Sequence, residues 1–210
     1  MQTIARETYV ARLKRGEAGW APYRVRSQTG QEIGELCLIT HDLAADARTI
    51  EKLCLWRANH AQNFLTVLPV SLESTKNYLE TIYLPDTSRL LFLLKESDRF
   101  VGNCGLANIS ENSAELDYII RGETVHDKSF MVLAQIALIR WASEALHIET
   151  FYLRVLATNF KAIRSYERVG FKPVSSTPLR RQDFEDGYKL IPDPESPHTG
   201  LALLRMELRT

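Results

Sequence analysis

Thr158-Asn159-Phe160-Lys161-Ala162-Ile163-Arg164-Ser165-Tyr166-Glu167-Arg168-Val169-Gly170-Phe171 is the stretch that decides the fold. It reads as a helix from Asn159 to Arg168 set between two strands, Glu149 to Leu156 before it and Phe171 to Val174 after it. Gly170 stands where such a helix ends, because glycine enters the left-handed conformation of a C-terminal cap with no Cβ in the way. Upstream, Ser129 to Ala145 carries Phe130, Leu133, Ala134, Ala137, Leu138, Trp141, Ala142 and Ala145. That spacing is a single buried helical stripe.

Further out the period changes from helical to extended. Leu90 to Leu94 is a short apolar run, Ser97-Asp98 a turn, Phe100 to Ile109 a second run, Glu111-Asn112-Ser113 a second turn and Ala114 to Ile120 a third strand. This is a three-strand meander. Before it, Gln31 to Thr40 reads as the first core strand, and Asp42 is placed to cap a helix whose face is Leu43, Ala47, Ile50 and Cys54. Ser71 opens another helix, with Leu72, Leu79, Ile82 and Tyr83 inward and Pro85 ending it.

At the ends of the chain the pattern weakens. Residues 5–17 read as a short polar helix and Tyr23-Arg24-Val25-Arg26 as a strand running into Thr29-Gly30, so residues 1–30 form an N-terminal extension on one domain spanning 31–210. Residues 177–199 are rich in Pro, Asp and Arg without apolar periodicity and read as a mobile lid, in which Arg180-Arg181, Asp183, Glu185 and Asp186 form a mixed charge run. Leu201 to Leu208 alternates as a closing strand should. The class is α/β with a mixed sheet.

Composition excludes several functions. Twenty-six basic residues balance twenty-six acidic ones in 210, so no global field gathers nucleic acid or an anionic membrane. No run of about 18 apolar residues occurs and the first residues lack the apolar core of a signal peptide, so a soluble cytoplasmic protein is expected. Cys37, Cys54 and Cys104 have no metal spacing and read as buried reduced thiols. His41, His60, His126, His147 and His198 are scattered, so no metal is expected. No Ser-His-Asp motif stands out.

A meander followed by strand, helix, strand, helix, strand resembles the GNAT superfamily of acyl-CoA N-acyltransferases, over roughly residues 31–209. The late segment carries the match, with Asn159, Ala162, Tyr166, Gly170 and Phe171 at the family's positions. The resemblance implies that Asn159 and Ala162 lie beside the pantetheine arm of acetyl-CoA, the co-substrate, and that Tyr166 offers its hydroxyl to the departing thiolate. Chemistry supports that role: a tyrosine of pKa about 10 is protonated at neutral pH and can donate. Core packing is the alternative for Tyr166.

The family also holds the coenzyme pyrophosphate on the turn before the long helix, here His126-Asp127-Lys128-Ser129-Phe130-Met131. This turn departs from the family pattern: His126 replaces Gln or Arg, Ser129 replaces Gly, and Asp127 adds an anion. Lys128 and Ser129 supply a cation and a hydroxyl in compensation. In the family the strand before this turn splays from its neighbour, which places Tyr118, Ile119 and Ile120 along the coenzyme cleft. Glu115, and second Asp117, share one face of that strand and suit a general base, with a solvated strand face as the alternative.

Trp56, Arg57 and Phe64, followed by Ser71-Leu72-Glu73, resemble the branch containing ribosomal-protein N-terminal and nucleotide-sugar amine acetyltransferases. Trp56 and Phe64 would stack on an acceptor and Arg57 would pair with an anionic group, although all three also suit core or surface packing. The resemblance thus implies transfer of acetyl to a primary amine of a small molecule or protein N-terminus by direct attack in a ternary complex. A catalytically degenerate GNAT-fold binding module is the alternative, and a homodimer is left open.

Overall fold

The computed structural model describes residues 3–195 and 200–210. The helices are α1 (Thr3–Lys14), α2 (His41–Ala45), α3 (Ala47–Asn59), α4 (Leu72–Tyr78), α5 (Phe130–Leu146) and α6 (Phe160–Val169). The strands are β1 (Tyr23–Arg26), β2 (Glu32–Leu38), β3 (Thr66–Val67), β4 (Leu90–Glu96), β5 (Arg99–Ala107), β6 (Ser113–Arg121), β7 (Thr150–Leu156), β8 (Lys172–Phe184), β9 (Gly187–Pro192) and β10 (Ala202–Arg209). They form a 10-stranded sheet in the order β1-β2-β4-β5-β6-β7-β10-β8-β9-β3. Neighbours are antiparallel except β6 and β7, which run parallel with α5 as their crossover.

Each face of the sheet is covered by helices whose apolar stripes match it. Against one face lie α1, α5 and α6, where Phe130, Leu138, Trp141 and Leu146 of α5 pack on Phe92, Leu106, Leu116 and Phe151. Against the other lie α3 and α4, with Ile50, Leu53, Trp56 and Leu79 over Leu91, Leu93 and Ile120. Burying each such side chain contributes roughly 1.5–3 kcal/mol, so both layers hold the strands in place. The N-terminal segment, from α1 through β1, shares this core. Val10 and Leu13 of α1 are fully buried, β1 pairs with β2, and the Trp20 ring meets Trp141 edge-on at 5.2 Å between centroids.

Several sequence expectations change in the structure. Asp42 lies inside the short α2, and it is Asp46 that caps α3, accepting from the Thr49 amide at 2.8 Å. Ser71 does cap α4, but the helix widens to a π turn over Leu79–Tyr83, and that change of phase turns Ile82 outward while Leu79 and Tyr83 stay buried. Leu72 is also exposed. Residues 177–195 are no lid: β8 and β9 form a hairpin from Leu179↔Pro192 to Phe184↔Gly187, and β9 pairs with β3. Leu179 and Leu190 bury between them with Leu156 and Leu203. Residues 196–199, including His198, lie outside the described residues. The three cysteines are free, Cys104 buried and the other two partly buried.

Candidate active site

One irregularity in β6 shapes the site. Asp117 pairs with Gly105 and Ile120 with Asn103, so β6 carries one more residue than β5 across this step. Tyr118 takes up the extra length at φ 58, a left-handed conformation rare outside glycine. Gly105 makes room for it, because a Cβ there would collide with the Leu90 carbonyl and reach 2.9 Å from the Tyr118 ring. The bulge breaks the period-two alternation, so Asp117, Tyr118 and Ile120 all face the α3/α4 side. Beyond Glu115↔Tyr152 β6 and β7 no longer pair, although β7 continues to Leu156 against β10. A wedge-shaped cleft opens between them.

On the α3/α4 side lies a cavity of about 490 Å³. Its walls are mostly apolar, with Leu53, Phe64, Leu68, Val70, Leu79 and Ile120 among them. Among the described residues, Asp117 is the one acid in the wall and Arg57 the one cation. Burial raises the Asp117 carboxyl above the ordinary carboxylate range, helped by nearby Glu115 and opposed by the Tyr118 amide. Burial lowers the Arg57 guanidinium, while Asp117 works the other way. Arg57 lies 3.3 Å over the Phe64 ring and donates to the Thr66 carbonyl at 3.1 Å.

The Tyr118 ring is fixed from behind. Its hydroxyl accepts from the Tyr78 hydroxyl at 2.7 Å and from Arg89 at 2.8 Å, and Asp86 holds Arg89 at 2.5 Å. Asn103 donates to the Tyr118 carbonyl, which pins the bulge itself. From α6, Tyr166 is buried with its ring 6.5 Å from Phe171. Burial raises the Tyr166 hydroxyl above its ordinary value, and Asp117 raises it further.

The residues named from sequence divide into those the structure brings together and those it does not. Arg57, Phe64, Tyr118 and Ile120 join Asp117 at the cavity. Trp56 does not. It is buried under Gly122, where a Cβ would strike the indole, and so buttresses the end of β6 instead of stacking on a ligand. Ile119 packs on the opposite face, against the α5 layer, because the bulge reverses the alternation there. Glu115 is buried in a two-pronged ion pair with Arg154, at 2.7 and 2.9 Å, and accepts from Asn108 at 2.7 Å. Both Glu115 oxygens are thus engaged within the protein, whereas Asp117 lies in the cavity wall.

Asn159 caps α6, accepting from the Ala162 amide at 3.2 Å, and Gly170 ends the helix at φ 115. The turn before α5 holds an arrangement that sequence did not signal. Buried Glu96 accepts from the amides of His126, at 2.8 and 3.0 Å, and Asp127, at 3.1 Å, and lies 3.1 Å from the His126 ring. Asp127 in turn accepts from the Ser129 amide at 2.7 Å. Lys128 is exposed and Arg168 of α6 reaches the Ser129 hydroxyl at 3.5 Å, whereas the Phe130 side chain is in the core and Met131 packs against it. Tyr78, Arg89, Asn103, Glu96 and Arg168 were all missed. Only Asn103, a polar residue within the apolar run Phe100 to Leu106, carried a sequence signal.

No group of three or more His, Cys, Asp or Glu able to hold a metal occurs among the described residues, and none of their helices is long and apolar enough to cross a membrane. The family model for an acetyltransferase (GNAT) domain matches residues 35–172. No curated protein matches the sequence. Among solved structures, the chain is similar to an acetyl transferase from Salmonella typhimurium that modifies the N-terminal serine of a 50S ribosomal subunit protein, with 14% identity, 90% of this chain and 99% of that chain covered, and TM-score 0.66. It is similar to spermidine N-acetyltransferase from Vibrio cholerae in complex with CoA and spermine, with 18% identity, coverage of 83% and 94%, and TM-score 0.62. It is also similar to the N-acetyltransferase PseH of Campylobacter jejuni, with 16% identity, coverage of 84% and 98%, and TM-score 0.54.

Proposed function

The chain belongs to the GNAT acetyltransferase family, and on that footing we propose that it transfers acetyl from acetyl-CoA to a primary amine of a small molecule or peptide N-terminus by direct attack. The observation that carries this reading is Asp117, a buried acid beside the β6 bulge in the wall of an apolar cavity, with a charge that reaches Tyr166 of α6. Acetyl-CoA supplies a thioester whose carbonyl carbon takes the acceptor nitrogen and whose sulfur leaves. The residues fit it: the unpaired length of β6 beyond Glu115 offers backbone to a pantetheine arm, and Asn159 and Ala162 sit where α6 begins. At the phosphate end Lys128, Ser129 and Arg168 offer side-chain contacts.

The chain's own groups divide the proton work. The acceptor enters as an ammonium and must lose a proton before its lone pair can attack. Asp117 takes that proton, and its raised pKa brings it closer to the amine it serves. Tyr166, held protonated by burial, donates to the departing sulfur, and the second proton that the acceptor nitrogen sheds as the amide forms returns through solvent to the Tyr166 oxygen. The apolar wall keeps water from the thioester.

A thiol-release assay over a panel of amines tests this. Asp117→Asn is expected to lower kcat/KM about 10²–10⁴-fold and Tyr166→Phe to lower kcat about tenfold or more. Undiminished turnover in Asp117→Asn removes the proposed base. A second reading, a binding module without turnover, draws on Glu96, whose carboxylate already takes two amides of the phosphate turn. Calorimetry with acetyl-CoA separates the two, since binding without thiol release for any amine leaves only the module.

A further inference from the structure

Asn103, in the cavity wall, carries a buried polar atom that the acid, the bulge and the cleft leave unexplained. Asn103 lies on β5, where Cys104 and Leu106 turn toward the α5 layer and residue 103 therefore faces the α3/α4 side and lines the cavity. Its side chain is buried, and its orientation is fixed: the Tyr118 carbonyl can only accept, so Nδ2 must be the atom facing it. That leaves Oδ1 buried with no donor among the described residues. An orphaned buried oxygen costs roughly 1–3 kcal/mol, so a site that keeps one has a use for it.

We infer that Asn103 Oδ1 and the Asp117 carboxylate together clasp the ammonium of the acceptor, making Asn103 a specificity-determining residue and the acceptor a primary monoamine carried on an apolar body. This deepens the proposed function and rests on its placement of the acceptor in this cavity. Two oxygens on adjacent strands take two N–H groups of one nitrogen, a demand that a tertiary ammonium, with a single N–H, cannot meet. The remaining wall fixes the rest of the ligand. Leu53, Phe64, Leu68, Leu79 and Ile120 suit hydrocarbon, and with Asp117 the only acid among the described residues of the wall a polyamine would leave its other charges facing apolar groups or Arg57.

The test uses the full chain and three probes that share one apolar body: 2-phenylethylamine, its N,N-dimethyl derivative and 2-phenylethanol, with binding read by calorimetry in the presence of CoA. The native chain is expected to prefer the primary amine about tenfold or more over both others. Asn103→Ala should weaken it about tenfold to a hundredfold and bring it level with the dimethyl compound, as loss of a hydrogen bond to a charged group implies. Asn103→Asp keeps an oxygen but loses the bond to the Tyr118 carbonyl, so recovery of the preference in that variant separates ammonium recognition from support of the bulge.

Three results overturn the inference: no preference in the native chain, Asn103→Ala binding all probes as the native chain does, or Asn103→Ala and Asn103→Asp both losing all three probes alike. The second would mean that water satisfies Oδ1. Thiol release is measured alongside. Amine binding with the expected discrimination but no thiol release would remove the acetyltransferase reading and leave the clasp standing.

Discussion

The assignment of the base turns on two carboxylates two residues apart, and exchanging each for its amide separates them. Glu115→Gln keeps shape but removes the charge that Arg154 and Asn108 engage. Glu115 is 5% exposed and Arg154 46%, so solvent screens part of the pair on the arginine side. Hydrogen bonds to a charged group contribute about 1.5–3 kcal/mol, and that screening lowers the expected loss to about 1–2 kcal/mol. For a chain of this size each kcal/mol shifts Tm by about 2–4 °C, so Glu115→Gln should melt roughly 2–8 °C lower. Its kcat/KM at 25 °C should stay within about threefold of the native value, as expected for a residue outside the reaction.

Asp117→Asn should do the reverse. The carboxylate is held above its ordinary pKa by burial, so its charged form weakens the fold at neutral pH, and the amide should hold or raise Tm. A loss of about 10²–10⁴ in kcat/KM corresponds to roughly 3–5.5 kcal/mol of barrier, far beyond what the Tm change could mimic. Differential scanning fluorimetry and thiol release on the same preparations read both quantities. If Glu115→Gln lost a hundredfold in rate at unchanged Tm while Asp117→Asn kept its rate, the roles assigned from the Arg154 ion pair and the bulge would be inverted.

Other predictions follow from the same geometry. The acid limb of kcat/KM against pH should lie above the ordinary carboxylate value of about 4, because Asp117 must be ionised to act and burial opposes that; a limb at or below 4 contradicts the assignment. Lys14, buried with its amine donating to the carbonyls of Tyr83 and Asp86 at 2.5 and 2.6 Å, is lowered to about 7. The unfolded chain therefore binds more protons than the folded one between pH 7 and about 10.5, stability should rise across that window, and Lys14→Met should flatten the rise in urea titrations. Gly122→Val should destabilise by about 1–3 kcal/mol or more through collision with Trp56, seen as a lower urea midpoint. Glu96→Gln should tighten acetyl-CoA about threefold by removing one negative charge beside the proposed phosphate site, with the gain shrinking as salt rises from 50 to 200 mM, both read by calorimetry. Weaker binding at unchanged Tm would show that the carboxylate shapes the phosphate site.

What could be read from the sequence follows from how each element is buried. The α5 stripe and the Asn159-to-Phe171 segment were legible because one face of each helix meets the sheet, and the meander because its turns separate well-buried runs. The β8–β9 hairpin was not. It reaches past the helices with both faces largely open, so Leu179 and Leu190 are all that remains of an alternation, and Pro and charge read as loop. Asp117 was outranked by Glu115 because period two puts both on one face, and nothing in Leu-Asp-Tyr-Ile-Ile announces a left-handed tyrosine. Trp56 misled for a related reason: an aromatic beside an arginine suits a ligand, but its neighbour in space is a glycine 66 positions later.

The turn before α5 shows how a departure from a family pattern can be compensated from outside the motif. Glycine in such a turn lets backbone amides approach a phosphate closely, and here Ser129 stands in its place with its amide turned to Asp127. The amides of His126 and Asp127 are turned to Glu96, which arrives from the end of β4, thirty residues earlier in the chain. Two carboxylates therefore take the amides of His126, Asp127 and Ser129, which helps the turn keep its shape without the glycine. Under the proposed function the phosphates lose three backbone donors and lean more on side chains, with Arg168 of α6 already at Ser129 and Lys128 exposed beside it. Contacts made by flexible cations are screened by salt more than buried backbone contacts are, so coenzyme affinity in this chain should fall steeply with ionic strength. Arg168→Gln should remove much of that slope while leaving Asp117 and Tyr166 untouched. A steep slope persisting in Arg168→Gln would place the phosphates elsewhere.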